Sequence, residues 1–427
     1  MKFQKLLFGC LWLTGSVLLF TCDTKNNIDP AFKNYFIKYY GEDGNHEAKD
    51  FVVNDDGTVI ILGTVSFGQT QAVQTRRVYI VKTDLEGNEL WNRTLGSTFN
   101  EEAADIESII GGPDAGNFLI LSNFDRAADR TNMRLTVINS NGDSLKSYEY
   151  SQYLSLRGLS VTSSASGIMY ISGLTTDIDA GSDKNVLLTT PPPILEDYLI
   201  IRLRNDYTIE FDDRIGGSYE GAAVKVVPSG SSFVYAAYSD ELTSSNLPDN
   251  NEHEHNFIFR LFLSNPTSAA VSLFSGSLNL DEKMIAFTDK PLFNTFCAIG
   301  TQSDFNGANR KAYATVVSSS LSSVIAEGVV LSGPNEYEGV AVSAASTSYL
   351  MLANEINSAN RRDIVFIKMS TGLVPEFTIK FGAVDNDDRG AAVAELPSGD
   401  ILILGTMQLA GQQDKIALIK LRPNGTF

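Results

Sequence analysis

Apolar and polar residues alternate along this chain in short runs, and the runs recur in a fixed order. Near the start, EAKDFVVNDDGTVIILGTV (Glu47 to Val65) reads as a strand, a polar turn with Gly57, an apolar strand and then Gly63-Thr64. Near the end, RGAAVAELPSGDILILGTM (Arg389 to Met407) reads the same way. A second shared segment follows each. RRVYIVKTDLEGNELW (Arg76 to Trp91) and DKIALIKLRPNG (Asp414 to Gly425) are alternating strands that carry Lys82 or Lys420 and run into a polar turn with glycine. A period of two marks strands with one buried face, and Gly, Asn and Asp between the runs mark turns.

The same unit recurs between these ends, with opening strands near Glu47, Glu102, Arg157, Glu220, Glu282, Glu338 and Arg389, a period of about 57 residues. Six units carry a fourth strand, from Leu90 to Leu95 in the first to Phe377 to Phe381 in the sixth. The seventh ends after its third strand, while an unassigned strand, Asn34 to Tyr40, stands upstream of the first unit. A ring in which that strand completes the last unit avoids the two unpaired edges that an open array would expose. The pattern therefore predicts an all-β fold, a seven-bladed β-propeller of four-stranded blades over residues 32–427, closed by the N-terminal strand. A β-solenoid needs repeats near 20 to 30 residues and separate sandwiches need about 100 each, so neither fits. No long segment has a period of 3.6, which excludes a helical repeat.

The first 21 residues read as an address label. Lys2 and Lys5 precede an apolar stretch from Leu6 to Phe20, which is shorter than the roughly 20 residues a membrane span needs. Leu19-Phe20-Thr21-Cys22 resembles the lipobox of bacterial lipoproteins, which implies removal of the leader and acylation of Cys22. Residues 22–31 then form the lipidated cysteine and a polar tether with Pro30. With Cys10 discarded and Cys22 acylated, Cys297 stands alone in an apolar run, and its expected role is that of a small buried hydrophobe.

Charge narrows the partners. The formal net charge is −18 and the pI near 4.6, so the chain lacks the basic surface that nucleic acid or anionic lipid requires, and no nucleic-acid partner is expected. The Gly-Thr after the second strand, the lysine of the third and the glycine after the fourth together resemble exported β-propeller lipoproteins of the Bacteroidota type, loosely related to quinoprotein-like and delta-60-type repeats. The resemblance spans nearly the whole chain beyond the leader. It implies an exported, lipid-anchored protein of the outer membrane, and it is uninformative about activity, because such propellers serve as scaffolds, platforms and enzymes. WD, Kelch and Asp-box signatures are not met. A quinone cofactor stacked on tryptophan near paired cysteines finds, beyond the leader, only Trp91 and one cysteine other than the anchor, Cys297, so no cofactor is expected.

Candidate chemistry is sparse, and no catalytic set is assigned. His253 and His255, two residues apart beside Glu252 and Glu254, could begin a metal site, but a solvated loop explains them more simply and no metal is expected. The carboxylates that open the first strands, Glu47, Glu102, Glu220, Glu282 and Glu338, form a candidate acidic ring at one mouth of the central channel, with Asp388 beside the seventh. Such a ring could hold a cation or a basic peptide, or each carboxylate could accept hydrogen bonds from the N–H groups of its own turn. The longest insertion, Thr175 to Asp197 with Pro191 to Pro193, and the connection Ser239 to Asn256 could form one binding wall on adjacent blades. The reading that results is a non-catalytic binding or accessory propeller, held to the membrane by the Cys22 lipid, with a protein or glycan partner. Its alternatives are a scaffold subunit of an assembly or uptake complex, or a propeller-type lyase or hydrolase.

Overall fold

The computed structural model describes residues 34–427, apart from 69–74, 97–98, 128–129, 153–154, 176–196, 216–220, 230–231, 240–254, 264–270, 278–279 and 384. The leader, Cys22 and the tether lie outside the described residues. So do Glu220, His253, the proline run and nearly all of both insertions.

Seven four-stranded antiparallel sheets follow one another around a ring, and the fold is a seven-bladed β-propeller. Blade 1 comprises Asn45–Val53, Thr58–Phe67, Thr75–Asp84 and Glu89–Leu95 from the channel outwards. Blade 2 comprises Glu101–Ser108, Phe118–Ala127, Arg130–Ile138 and Ser144–Tyr150, and blades 3 to 6 repeat the order. Blade 7 joins Arg389–Glu395, Ile401–Leu409 and Gln413–Leu421 to the strand Phe36–Tyr40 at its outer edge. Phe36 pairs with Lys420 and Tyr40 with Ile416, so the predicted three-plus-one closure is present. The inner strands begin on one face, called upper here, where the connections 2–3 and 4–1 also lie. The turns 1–2 and 3–4 lie on the lower face.

The core fills the seams between blades. Val59, Ile61 and Tyr79 of blade 1 pack with Leu404, Ile416 and Leu418 of blade 7, and Leu121, Met133 and Leu135 of blade 2 pack with Leu199 and Ile201 of blade 3. Alternation along each strand directs side chains into the seams on both sides of a blade, which explains why the second and third strands read as nearly continuous apolar runs.

The repeat's polar markers are links between blades. The Thr64 hydroxyl accepts a hydrogen bond from the Ala103 N–H of the next inner strand at 3.0 Å, and Thr406 accepts from Ala48 N–H at 2.8 Å. Asn123 and Asn354 accept in the same way from Gly158 and Gly390. The glycine before each threonine is needed for close approach: a Cβ on Gly63 would lie 2.5 Å from the Glu47 carbonyl oxygen, and one on Gly405 would lie 2.6 Å from Ile364 Cδ1. The third-strand lysine reaches the lower turn of the following blade. Lys82 donates to Ser140 O at 3.2 Å, Lys420 to Leu85 O at 3.2 Å and Lys368 to Pro423 O at 3.5 Å.

Thr64 is buried, so Thr64→Val keeps shape and removes the acceptor, leaving the Ala103 N–H unpaired. A stability loss of about 1–3 kcal/mol is expected in urea denaturation. An unchanged midpoint would show that the hydroxyl is not a link.

Candidate functional site: the upper face and the central channel

Each inner strand carries a β-bulge. Its pairing with the second strand slips by one residue after Ala48, Ala103, Gly158, Ala223, Met284, Gly339 and Gly390 in blades 1 to 7. A bulge bends the strand and re-aims the side chains beside it. Counting from this landmark aligns the blades by structure.

On that count Glu47, Glu102 and Glu338 are equivalent, and the same position holds Arg157, Ala222, Lys283 and Arg389 in the other blades. Glu282 stands one residue earlier, in register with His46, Glu101 and Asp388, and the pleat turns it into the protein, where it is fully buried. There it accepts from Ser277 N–H at 3.0 Å and Gln302 Nε2 at 2.8 Å, and Asp388 likewise accepts from Ala383 N–H and Gln408 N–H. These two carboxylates therefore cap their own upper turns. The described members of the acidic set do not share one ring.

Glu47, Glu102 and Glu338 instead belong to a belt of ion pairs that crosses from blade to blade on the upper face. Arg310 of blade 5 lies 2.5 Å from Glu338 of blade 6, Arg362 lies 3.2 Å from Asp387, and Arg389 lies 2.8 Å from Asp414 in blade 7. In blade 1, Lys49 sits 2.9 Å from Glu47 and 2.8 Å from Glu102 of blade 2, which also meets Arg76 at 3.0 Å. Burial opposes charge on Glu102, but Lys49, Arg157 and Arg76 outweigh it and hold the carboxyl below its usual range. Partly exposed pairs of this kind each contribute little stability, so the belt's main property is an ordered pattern of opposite charges around the channel mouth.

The histidines are engaged separately. His255 Nδ1 lies 2.7 Å from Asp281 Oδ1 at the seam between blades 4 and 5, and its ring stands edge-on to Tyr238 at 5.4 Å. His46 meets Tyr79 at 4.7 Å in blade 1, and burial, then the Lys415 charge, lower its pKa to about 4. Cys297 is free and fully buried, as its apolar run predicts, and burial raises its thiol pKa. Among the described residues, no group of three His, Cys, Asp or Glu is spaced to hold a metal ion.

Below the mouth lies a cluster that the sequence reading did not find. The residue directly after the bulge is Asp50, Asp105, Ser160 and Lys225 in blades 1 to 4 and alanine in blades 5 to 7. Asp105 accepts from Ser160 Oγ at 2.6 Å and Val161 N–H at 2.7 Å, which ties blade 2 to blade 3. Burial, then the charge and hydrogen bond of Asp105, push the Asp50 carboxyl well up. Glu107 is pushed up to about 7 by burial, against the pull of Lys225. Burial opposes charge on Lys225 too, but Glu107, Asp105, Asp50 and Asp289 outweigh it and raise its pKa. One amine thus stands among four carboxyls contributed by blades 1, 2 and 5. The signal was available in sequence only to a reader who aligned the units on the bulge.

The sequence matches no protein-family profile and no curated protein. Solved structures do match in shape. A polysaccharide lyase, Uly1, superposes with a TM-score of 0.52 at 10% identity, over 94% of this chain and 94% of that one. The β-propeller domain of the trilobed protease from Pyrococcus furiosus, described as having an open velcro topology, gives 0.49 at 8% identity over 90% and 97%. An acylaminoacyl peptidase from Pyrococcus horikoshii gives 0.48 at 10% identity, and this chain covers 87% of itself and 51% of that protein. The likeness to Uly1 bears on the fold alone.

Proposed function

We propose that this chain is a lipid-anchored propeller of the cell envelope, at the outer membrane, that captures a protein or glycan partner on its upper face. The observation that carries the reading is the direction of the closing strand. Phe36 pairs near the lower end of blade 7 and Tyr40 toward its upper end, so the chain enters the domain from the lower side. The ion-pair belt and the channel mouth stand on the opposite side. A tether from an acylated Cys22 would hold the lower face toward the bilayer and leave the charged face outward. Several acyl chains on one cysteine anchor stably, so the domain itself needs no membrane-binding surface. The strongly acidic balance, −18 overall, supports a protein or sugar partner over nucleic acid.

Cys22→Ala is expected to release a folded protein from membranes, with its melting temperature unchanged. If the variant still sediments with membranes after a carbonate wash, the anchor reading fails. The partner is tested by cross-linking on intact envelopes, comparing the parent with Arg310→Glu and Arg362→Glu. Loss of a cross-linked band in these folded variants supports capture by the upper face, and an unchanged band pattern overturns it.

A further inference from the structure

The seam between blades 1 and 2 differs from the others. Opposite the small residue that ends the apolar run of each second strand stands a third-strand residue, which is Tyr79, Leu199, Ile258, Tyr313, Val365 or Ala417 in six blades. In blade 2 it is Arg134, opposite Ser122. Arg134 is buried at 7% exposure and pairs with Glu101 at 2% exposure. A buried ion pair is no better for stability than the apolar or aromatic residues used by the other blades, and its desolvation is costly, so stability does not account for it.

Beside this pair a cleft of about 430 Å³ opens to the surface. That volume lies in the range of small-ligand sites. Val78 and Ile120 form an apolar floor, and the hydroxyl-bearing Thr94, Thr136 and Ser147 line the walls. The two carboxylates on Arg134 are held unequally. Glu101 is fixed from below, accepting from Ser122 Oγ at 2.6 Å as well as from the guanidinium. Glu149 sits on the outer strand, 2.8 Å from Arg134 Nη2, with its side chain 46% exposed. The outward side of the guanidinium therefore faces a carboxylate that solvent can reach and a ligand can displace.

We propose that the cleft between blades 1 and 2 binds an acidic sugar, whose carboxylate replaces that of Glu149 on Arg134 while the hydroxyl-lined walls and apolar floor meet the ring. A planar guanidinium is matched to a carboxylate, and hydroxyls that both donate and accept suit a polyhydroxylated ring with an apolar face. The site lies in the seam between two blades and contains none of the residues of the ion-pair belt, so it goes beyond the function proposed above, and either can fail without the other.

The test is titration of the purified full chain with glucuronate and galacturonate, and with glucose and galactose as neutral controls, followed by calorimetry or ligand-observed NMR. The uronates are expected to bind at least about tenfold more tightly than the neutral sugars, since only they supply a charge-assisted bond. Glu149→Gln removes the competing carboxylate and is expected to tighten uronate binding about threefold. Ser147→Trp fills the cleft without touching the buried pair, and is expected to abolish binding while leaving the melting curve intact. No response to uronates from either the parent or Glu149→Gln overturns the proposal. So does equal binding of glucose, or uronate binding by a folded Ser147→Trp variant that matches the parent.

Discussion

Deletion of residues 34–40 is expected to lower the melting temperature by about 10 °C or more, or to leave a protein that aggregates on purification. The strand Phe36–Tyr40 serves two seams at once. Phe36 and the buried Tyr40 pack with the core shared by blades 7 and 1, and Ile37 packs with the core shared by blades 6 and 7. The Tyr40 hydroxyl also donates to Gly87 O of blade 1 at 2.8 Å. Loss of a buried aromatic of this kind costs about 3–5 kcal/mol by itself. The deletion further exposes the backbone edge of Ile416 to Lys420, a segment that is apolar from Ile416 to Ile419. Circular dichroism and light scattering on the deletion variant, with and without a peptide covering residues 31–44, make the comparison. A variant that melts within a degree or two of the parent would show that the ring does not depend on this strand.

Lys225→Glu is expected to fail to fold at pH 8 and to recover, at least in part, near pH 5. The change removes the only amine in the channel cluster and adds a carboxyl beside Asp50, Asp105, Glu107 and Asp289. The direction with pH follows from Glu107, whose carboxyl titrates near 7 in the fold. A carboxyl with a raised folded pKa contributes stability that is present below its unfolded value, about 4.3, and is lost as pH rises through 7. In the parent this amounts to on the order of 2 kcal/mol once solvent screening is discounted. The raised Asp50 carboxyl acts in the same sense, and the substitution enlarges both effects. His46 acts oppositely. Its pKa is lowered to about 4, so its contribution is present above about 6.5 and lost as pH falls toward 4. Both chains carry His46, so the difference between their stability curves isolates the channel. Equal stability of the two chains across pH 5 to 8 would refute the cluster.

Gly63-Thr64, Gly405-Thr406, Lys82 and Lys420 made the repeat visible because each acts between neighbouring blades, and a ring asks for the same link at every seam. The closing strand was legible for a related reason: a seventh unit short of one strand and a spare strand at the other end answer each other. Side-chain register was not legible. The bulge inserts one residue without any residue-type marker, so Glu282, counted from the start of its unit, aligns with Glu47 but lies on the other side of the sheet. The channel cluster was hidden for the same cause. Asp50, Asp105 and Lys225 differ in type and stand far apart in the chain, and only the common bulge brings them to one level. Arg134 and Glu101 gave no local signal either, since an alternating strand reads the same whether its exceptional inward residue meets a buried partner or solvent.

The closing strand also sets the order of events in folding. Its partners are the last to be made: Lys415 hydrogen-bonds the carbonyl oxygens of Glu42 and Gly44, across a sequence separation of more than 370 residues. Bringing ends so distant together costs about 5 kcal/mol of chain entropy when it happens alone, and far less once the six intervening blades have formed and brought the ends near each other. Ring closure is therefore a late step of high contact order, and Phe36 to Tyr40, which precede all seven units in the chain, stay unpaired until the third strand of blade 7 has formed. During that interval the strand is an unpaired segment rich in aromatic and β-branched residues, open to pairing with the wrong edge.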